Sequence, residues 1–139
     1  MPDVGLTHVA FTVRDLDASL AFYAKYAGMM VVHRRAHDGI RTAWITDQTR
    51  PFVIVLLEGA GQPDRPLGPM GHLGVACRSR AEIDRLYAEA RAEGRLASAP
   101  VDRDAPIGYV ARIADPDGNS LELSFGQEVG LAAASAAQR

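Results

Sequence analysis

The sequence predicts an α+β fold built from two tandem βαβββ modules. The first observation is that two apolar, strand-like segments, GLTHVAFTVRD and MGHLGVACRSR, each carry a histidine near the start, and His72 follows His8 by 64 positions (72 − 8). The second is that the same offset relates Tyr23 to Tyr87 in the segments that come next. The third is that each opening strand is succeeded by one helical segment and then by three more strand-like runs.

The first module is predicted to span residues 5–59. Its opening strand leads into a helix that Asp15 or Asp17 can cap and that Gly28 ends, because a side-chain oxygen accepts from the first amides and glycine adopts the left-handed conformation at the helix end. The segment HDG at 37–39 is typical of a turn. Runs of β-branched and aromatic residues predict three strands, at residues 29–35, 41–47 and 51–59.

The second module is predicted to span residues 71–126, after a proline- and glycine-rich linker at 60–70. Its helix begins at Ser79 or Arg80 and ends near Gly94. The sequence DPDGN indicates a tight turn before the last strand. The strands are expected at residues 95–101, 108–114 and 119–126, and a C-terminal tail, in which a short helix can form, at 127–139.

Composition narrows the class of protein. The 139 residues suffice for one domain, and a net charge of −2 offers no positive field for nucleic acid. No apolar run approaches the roughly 20 residues that cross a bilayer, so a membrane partner is not expected. The N-terminus shows no secretory signal, and the single cysteine, Cys77, excludes an internal disulfide framework. These features predict a cytoplasmic protein.

Two histidines and one glutamate are candidate metal ligands. A neutral imidazole on an apolar strand needs hydrogen-bond partners that its neighbours do not supply. His8 and His72 occupy equivalent places in the two modules, so a pseudo-twofold pairing of the modules would bring them to one cleft. Glu122 lies between Leu121 and Leu123 and therefore points to the other face of its strand. Two imidazoles and a carboxylate suit a divalent metal.

The chain resembles the vicinal oxygen chelate superfamily, which includes glyoxalase I, extradiol dioxygenases, fosfomycin-resistance enzymes and bleomycin-resistance proteins. The resemblance covers residues 5–126 and rests on THVAFTVRDLDASLAFYAKYAGM, GHLGVACRS and ARIADPDGNSLEL. It implies a glyoxalase-like half-barrel cleft in which His8, His72 and Glu122 are the metal ligands.

In the glyoxalase I pattern, a fourth metal ligand is a carboxylate on the last strand of the first module. This chain departs from the pattern at that position. Aligning the last strands of the two modules by their terminal glycines puts Val55, and not Glu58, opposite Glu122. Glu58 nevertheless precedes Glu122 by 64 positions, the same offset as the histidines, so a bulge or altered register would make it an alternative ligand. The expected site has three protein ligands and leaves the remaining coordination positions open.

Several residues are candidates to line the pocket. Trp44 can wall the cleft or pack in the core, and Val53 and Val55 share a strand face. Ala10 stands where the fosfomycin enzymes have a threonine, and Arg112 stands where ring-cleaving extradiol enzymes have a tyrosine. The sequence therefore predicts the metal ligands but not the identity of the substrate, and it assigns no catalytic residue.

The function that we expect is a divalent-metal-dependent enzyme acting on a small substrate that chelates through vicinal oxygens. Its site would be of the dioxygenase type or of the lyase or transferase type, with one Fe, Mn, Ni or Zn ion per site. The alternative is a protein that binds and sequesters a small molecule without turnover, as bleomycin-resistance proteins do. The resemblance also implies a homodimer, in which the chains can exchange modules.

Overall fold

The computed structural model describes residues 3–61 and 67–137, apart from the side chains of residues 131, 132 and 137. The chain divides into two compact units. Unit 1 comprises Met1–Gly71 together with Asp115–Asn119, and unit 2 comprises His72–Ala114 together with Ser120–Arg139. The predicted linker at 60–70 includes residues 62–66, which lie outside the described residues.

Unit 1 is one βαβββ module. Its four-stranded sheet has the order β1-β4-β3-β2, in which β1 and β4 are parallel and the other neighbours are antiparallel. Asp38 and Gly39 both have positive φ, 51° and 79°, which is the backbone of a primed hairpin turn and explains why HDG joins β2 to β3. The elements are β1 (His8–Val13), α1 (Leu16–Ala27), β2 (Met30–His37), β3 (Ile40–Thr46) and β4 (Val53–Glu58).

Helix α1 begins and ends where the sequence predicts. The Asp15 side chain accepts a hydrogen bond from the Ala18 amide at 3.1 Å, and Gly28 closes the helix with φ of 63°. One face of α1 is buried on the sheet, where alternate strand residues such as Ile54 and Leu56 form the apolar core. The buried residues of α1 are Leu16, Ser19, Phe22, Tyr23 and Tyr26.

Unit 2 contains the second module. Its sheet has the order β5-β8-β7-β6, again with a parallel pair, β5 and β8, beside antiparallel neighbours. The Ser79 hydroxyl caps α2 by accepting from the Glu82 amide at 3.1 Å. The elements are β5 (His72–Ala76), α2 (Arg80–Ala92), β6 (Ala97–Arg103), β7 (Gly108–Ala114), β8 (Ser120–Phe125) and α3 (Val129–Ala137).

The predicted α+β fold with two βαβββ modules is confirmed. Both sheets carry a helix on one face, and residues two apart in each strand point to the same face, while the residue between them points to the opposite one. In unit 2 the helix-side face buries Leu121 and Leu123, so Glu122 lies on the face away from α2. Among the described residues, no helix is long and apolar enough to span a bilayer.

The turn between β7 and β8 is packed within unit 1 and not within unit 2. Asp115 organises it, because its Oδ1 accepts from the amides of Asp117 at 2.8 Å and Asn119 at 2.9 Å. Its Oδ2 accepts from the Tyr23 hydroxyl at 2.6 Å, and Asp117 Oδ1 accepts from the Arg14 amide at 3.0 Å. All three turn side chains are almost completely buried. The turn is therefore anchored to β1 and α1 by polar contacts that water does not screen.

Candidate functional site

Unit 2 holds two of the three predicted metal ligands on one sheet face. Gly74 of β5 is the register partner of Glu122 of β8, and His72 precedes Gly74 by two residues. His72 and Glu122 therefore point to the same side, away from α2, as diagonal neighbours on adjacent strands. Both line a cavity of about 590 Å³.

The Glu122 carboxylate has two polar neighbours and little exposure to solvent. Only 13% of its side chain is exposed, while Oε2 lies 3.5 Å from Gln127 Nε2 and Oε1 lies 3.8 Å from Arg112 Nη2. A Cβ atom built on Gly74 would sit 3.7 Å from Oε2, so the carboxylate extends over the glycine of the neighbouring strand. The Gln127 amide is thus at the limit of hydrogen-bond distance from the carboxylate, and the Arg112 guanidinium lies beyond that distance.

His8 is on the corresponding strand of unit 1. It is the first residue of β1, pairs in register with Val53, and lines an open cavity of about 520 Å³. Its Nδ1 shares a hydrogen bond of 2.9 Å with the Thr7 hydroxyl, which leaves Nε2 as the ring nitrogen for a metal. Trp44, 39% exposed, lines the same cavity.

The unit 1 sheet repeats the arrangement of unit 2 with one difference. Ala10 of β1 pairs with Val55 of β4, as Gly74 pairs with Glu122. Val55 therefore has the position in unit 1 that the carboxylate has in unit 2, and Val53 lies on the same face.

Glu58 points to the helix side of its sheet. It is three residues beyond Val55 in an unbroken register, so its side chain faces the other way. Its Oε2 accepts from the Leu16 amide at 2.7 Å, and the Arg41 guanidinium donates to both oxygens, from Nε at 2.8 Å and from Nη2 at 2.9 Å. The Arg41 hydrogen bonds, followed by that of the Leu16 amide, lower the pKa of Glu58 to about 2. Glu58 thus stabilises the first turn of α1, and no bulge turns it to the face of Val55.

The structure brings His72 and Glu122 together in unit 2, and His8 lies in unit 1. Within the described residues, no three His, Cys, Asp or Glu side chains are grouped closely enough to hold a metal ion. The donor set itself fits a divalent metal, because two imidazoles and one hydrogen-bonded carboxylate are ligands that such ions accept.

Sequence reasoning missed most of the other polar residues of the unit 2 cavity. In the sequence Arg112 stands out only as a departure from a family tyrosine, although strand alternation from Glu122 across the hairpin predicts that both lie on one face. Ser98, Arg103 and Gln127 also line this cavity, and no sequence signal marked them.

The comparisons with known proteins identify the class. Residues 5–123 match the model of the Glyoxalase/Bleomycin resistance protein/Dioxygenase superfamily, and the chain belongs to this superfamily. The superfamily includes metal-dependent lyases and dioxygenases as well as resistance proteins, and its members generally use a divalent metal.

Individual relatives differ in length and activity. An uncharacterized protein of Pseudomonas aeruginosa is 40% identical over 127 residues, which are 90% of this chain and 91% of that protein. Biphenyl-2,3-diol 1,2-dioxygenase of Sphingomonas paucimobilis is 28% identical over 89% of this chain, which spans 40% of the dioxygenase. The solved glyoxylase/bleomycin resistance protein/dioxygenase domain from Frankia sp. EAN1pec has a TM-score of 0.70 at 26% identity, over 90% of this chain and 99% of that one.

Proposed function

We propose that this protein is a divalent-metal-dependent enzyme whose substrate chelates the metal through two vicinal oxygens. His8, His72 and Glu122 are the proposed ligands. The metal, one Fe, Mn, Ni or Zn ion per site, would polarise the substrate oxygens as a Lewis acid or bind dioxygen beside them. The reaction is accordingly of the dioxygenase type or of the lyase or transferase type.

The observation that carries this proposal is the shared strand face of His72 and Glu122, with His8 at the equivalent place in the other module. A histidine and a glutamate on the face opposite the helix have no part in the core of unit 2. The carboxylate is only 13% exposed, and its ion pair with Arg112 is long, at 3.8 Å, so the cost of burying this charge is only partly compensated. Coordination of a metal at this face would offset that cost.

Three protein ligands are proposed, and not four. Val55 has the register position that corresponds to Glu122, and the nearby Glu58 is bound to Arg41 and to the Leu16 amide on the other face. A three-ligand site leaves positions for a bidentate substrate and for a further small ligand. Trp44 and Val53 supply a partly apolar wall beside His8, which suits the carbon skeleton of an organic substrate.

The proposed active form is a homodimer in which modules are exchanged, so that each site combines His8 of one chain with His72 and Glu122 of the other. Light scattering during size-exclusion chromatography would then give twice the 14.9 kDa of one chain. A mass of one chain would contradict this assembly.

Metal content tests the proposed ligands. Protein purified without chelators or added metal is compared with His8→Ala, His72→Ala and Glu122→Ala, each checked for folding by circular dichroism. We expect about one metal ion per chain in the wild type and loss of it in all three variants. His37→Ala, at an exposed histidine, and Glu58→Gln, at the glutamate on the other face, are matched controls that retain the metal. No bound metal and no tight uptake on titration would reject the enzyme and favour a sequestering protein.

Mixing two inactive variants tests the exchange of modules. A His8→Ala chain and a Glu122→Ala chain are unfolded together and refolded. In an exchanged dimer, the mixed species has one site with both substitutions and one site with neither, so about a quarter of the wild-type metal content returns. If each site is formed within one chain, the mixture binds no more metal than the separate variants.

A further inference from the structure

A row of polar side chains crosses the unit 2 sheet beside the proposed metal ligand. Glu122 of β8 is the register partner of Arg112 of β7, and Arg112 is the register partner of Ser98 of β6. Register partners point to the same side of a sheet, so carboxylate, guanidinium and hydroxyl follow one another on the face away from α2. All three residues line the cavity of about 590 Å³.

The Arg112 guanidinium forms a long ion pair with Glu122, and no hydrogen bond joins the two among the described contacts. The separation of 3.8 Å between Nη2 and Oε1 exceeds hydrogen-bond distance, and 38% of the Arg112 side chain is exposed. A guanidinium carries five N–H donors in a planar fork, so donors remain for a carboxylate that enters the cavity. The geometry therefore differs from a closed bidentate ion pair, such as the one between Arg41 and Glu58.

The charges that line this cavity have an excess of positive sign. Arg103 lines it together with Arg112, and Glu122 is the one carboxylate among its described lining residues. The chain as a whole has a net charge of −2, so the excess belongs to this cavity and not to a generally basic surface. A divalent metal on Glu122 would add further positive charge, which an anionic substrate would balance.

The rest of the cavity is suited to a small organic body. Val101, Ile107 and Val110 contribute apolar surface, and Ser98 and Gln127 contribute hydrogen-bonding groups at its margin. Apolar walls with a few convergent polar groups are typical of sites for small organic ligands.

We propose that the substrate is a small organic carboxylate, and that Arg112, assisted by Arg103, binds its carboxylate group next to Glu122. This inference rests on the proposed function, since it names the substrate class of the same site. In this role Arg112 determines substrate specificity, because it binds carboxylates more tightly than neutral molecules of equal shape.

The competing role for Arg112 is structural, as a cation that only positions the Glu122 carboxylate. The two roles predict different effects of Arg112→Gln. A positioning residue would change the dissociation constant of the metal and leave the preference between anionic and neutral ligands unchanged. A substrate-binding residue would control that preference even when no metal is bound.

The test uses two probes that differ in charge but not in ring or size, 3,4-dihydroxybenzoate and 3,4-dihydroxybenzamide. Each is titrated by calorimetry into chelator-treated full-length protein, and the arginine side-chain N–H resonances are followed by NMR. We expect the acid to bind at least about tenfold more tightly than the amide, since a charge-assisted pair is gained. We expect Arg112→Gln to remove this ratio and Arg112→Lys to keep part of it.

Arg85→Gln is the matched control, because Arg85 is an exposed arginine of α2 whose guanidinium pairs with Glu89. It should leave the acid-to-amide ratio unchanged. The proposal is overturned if the acid binds no more tightly than the amide, including the case in which neither binds, or if the ratio survives in Arg112→Gln. The titration contains no metal, so its outcome does not depend on whether the purified protein holds one. Absence of metal from the purified protein would reject the proposed enzyme, whereas the carboxylate proposal is decided by the acid-to-amide ratio alone.

Discussion

Removing the Tyr23 hydroxyl should destabilise the protein by about 2 kcal/mol, within the roughly 1.5–3 kcal/mol range of hydrogen bonds to charged groups. The hydroxyl donates to Asp115 Oδ2 at 2.6 Å, and both residues are buried, at 1% and 4% exposure. Burial, and then the charge of Asp115, raise the pKa of the Tyr23 phenol, so it remains a donor throughout the neutral range. Tyr23→Phe keeps the ring and its edge contact with Phe22, at 5.0 Å between centroids.

Tyr23→Phe removes a hydrogen bond from one carboxylate oxygen of Asp115, Oδ2. Asp115 Oδ1 keeps its two backbone amides, while Oδ2 keeps only a long contact of 3.3 Å with Asn119 Nδ2 among its hydrogen bonds to described residues. The buried oxygen is then under-satisfied, which is why the cost exceeds that of an exposed hydrogen bond. For a chain of this length, a loss of about 2 kcal/mol corresponds to a fall in Tm of roughly 8 °C.

The assay is urea denaturation followed by circular dichroism, with a thermal scan in parallel. Tyr87→Phe is the matched control, since the Tyr87 hydroxyl accepts only an exposed contact of 3.4 Å from Arg91 Nη1 among the described hydrogen bonds. It should change the free energy of unfolding by less than about 0.5 kcal/mol. If Tyr23→Phe costs no more than Tyr87→Phe, the turn at 115–119 is not anchored by this hydrogen bond.

Three further predictions concern pH, backbone and thiol chemistry. The pKa of Glu58 falls from 4.5 to about 2 on folding, so ionised Glu58 stabilises the folded protein above pH 4.5, and this contribution is lost as the pH falls toward 2. Glu58→Gln should therefore flatten the pH dependence of the free energy of unfolding in that window. Gly59→Ala would press a Cβ against the carbonyl oxygen of Gly39, at a φ of 99°. In denaturant titrations it should therefore cost more than the roughly 1–2 kcal/mol of Gly28→Ala, where φ is 63° and the space is open. Burial, and then Glu82, raise the pKa of Cys77 from 9.0 to about 11, so iodoacetamide at pH 8 should alkylate it about 100-fold more slowly than a free thiol, and equal rates would contradict its burial.

Much of the secondary structure follows from local sequence signals. The ends of α1 at Asp15 and Gly28 and the start of α2 at Ser79 were predictable, because a cap acts over three or four residues of the same segment. The turn at Asp38 and Gly39 was predictable for the same reason.

Only part of the candidate site could be predicted from local sequence signals. The histidine repeat named His8 and His72, but sequence left two alignments of the last strand of the first module, one pairing Val55 with Glu122 and one pairing Glu58 with it. The observed register, in which Ala10 pairs with Val55, is that of the first alignment. Register depends on contacts between strands that are distant in sequence, so periodicity within one strand cannot choose it.

By itself, the sequence determined the two modules, the ends of their helices and the residue types of the candidate metal ligands, because repeats, caps and alternation act within short segments. Tertiary structure decided that Glu58 binds Arg41 on the helix side, that the turn at 115–119 packs in unit 1 against Tyr23, and that Arg112 lies beside Glu122. Each of these contacts depends on which strand or helix, distant in sequence, lies opposite the residue. The packing of the whole chain decides this, and a pattern within one segment does not predict it.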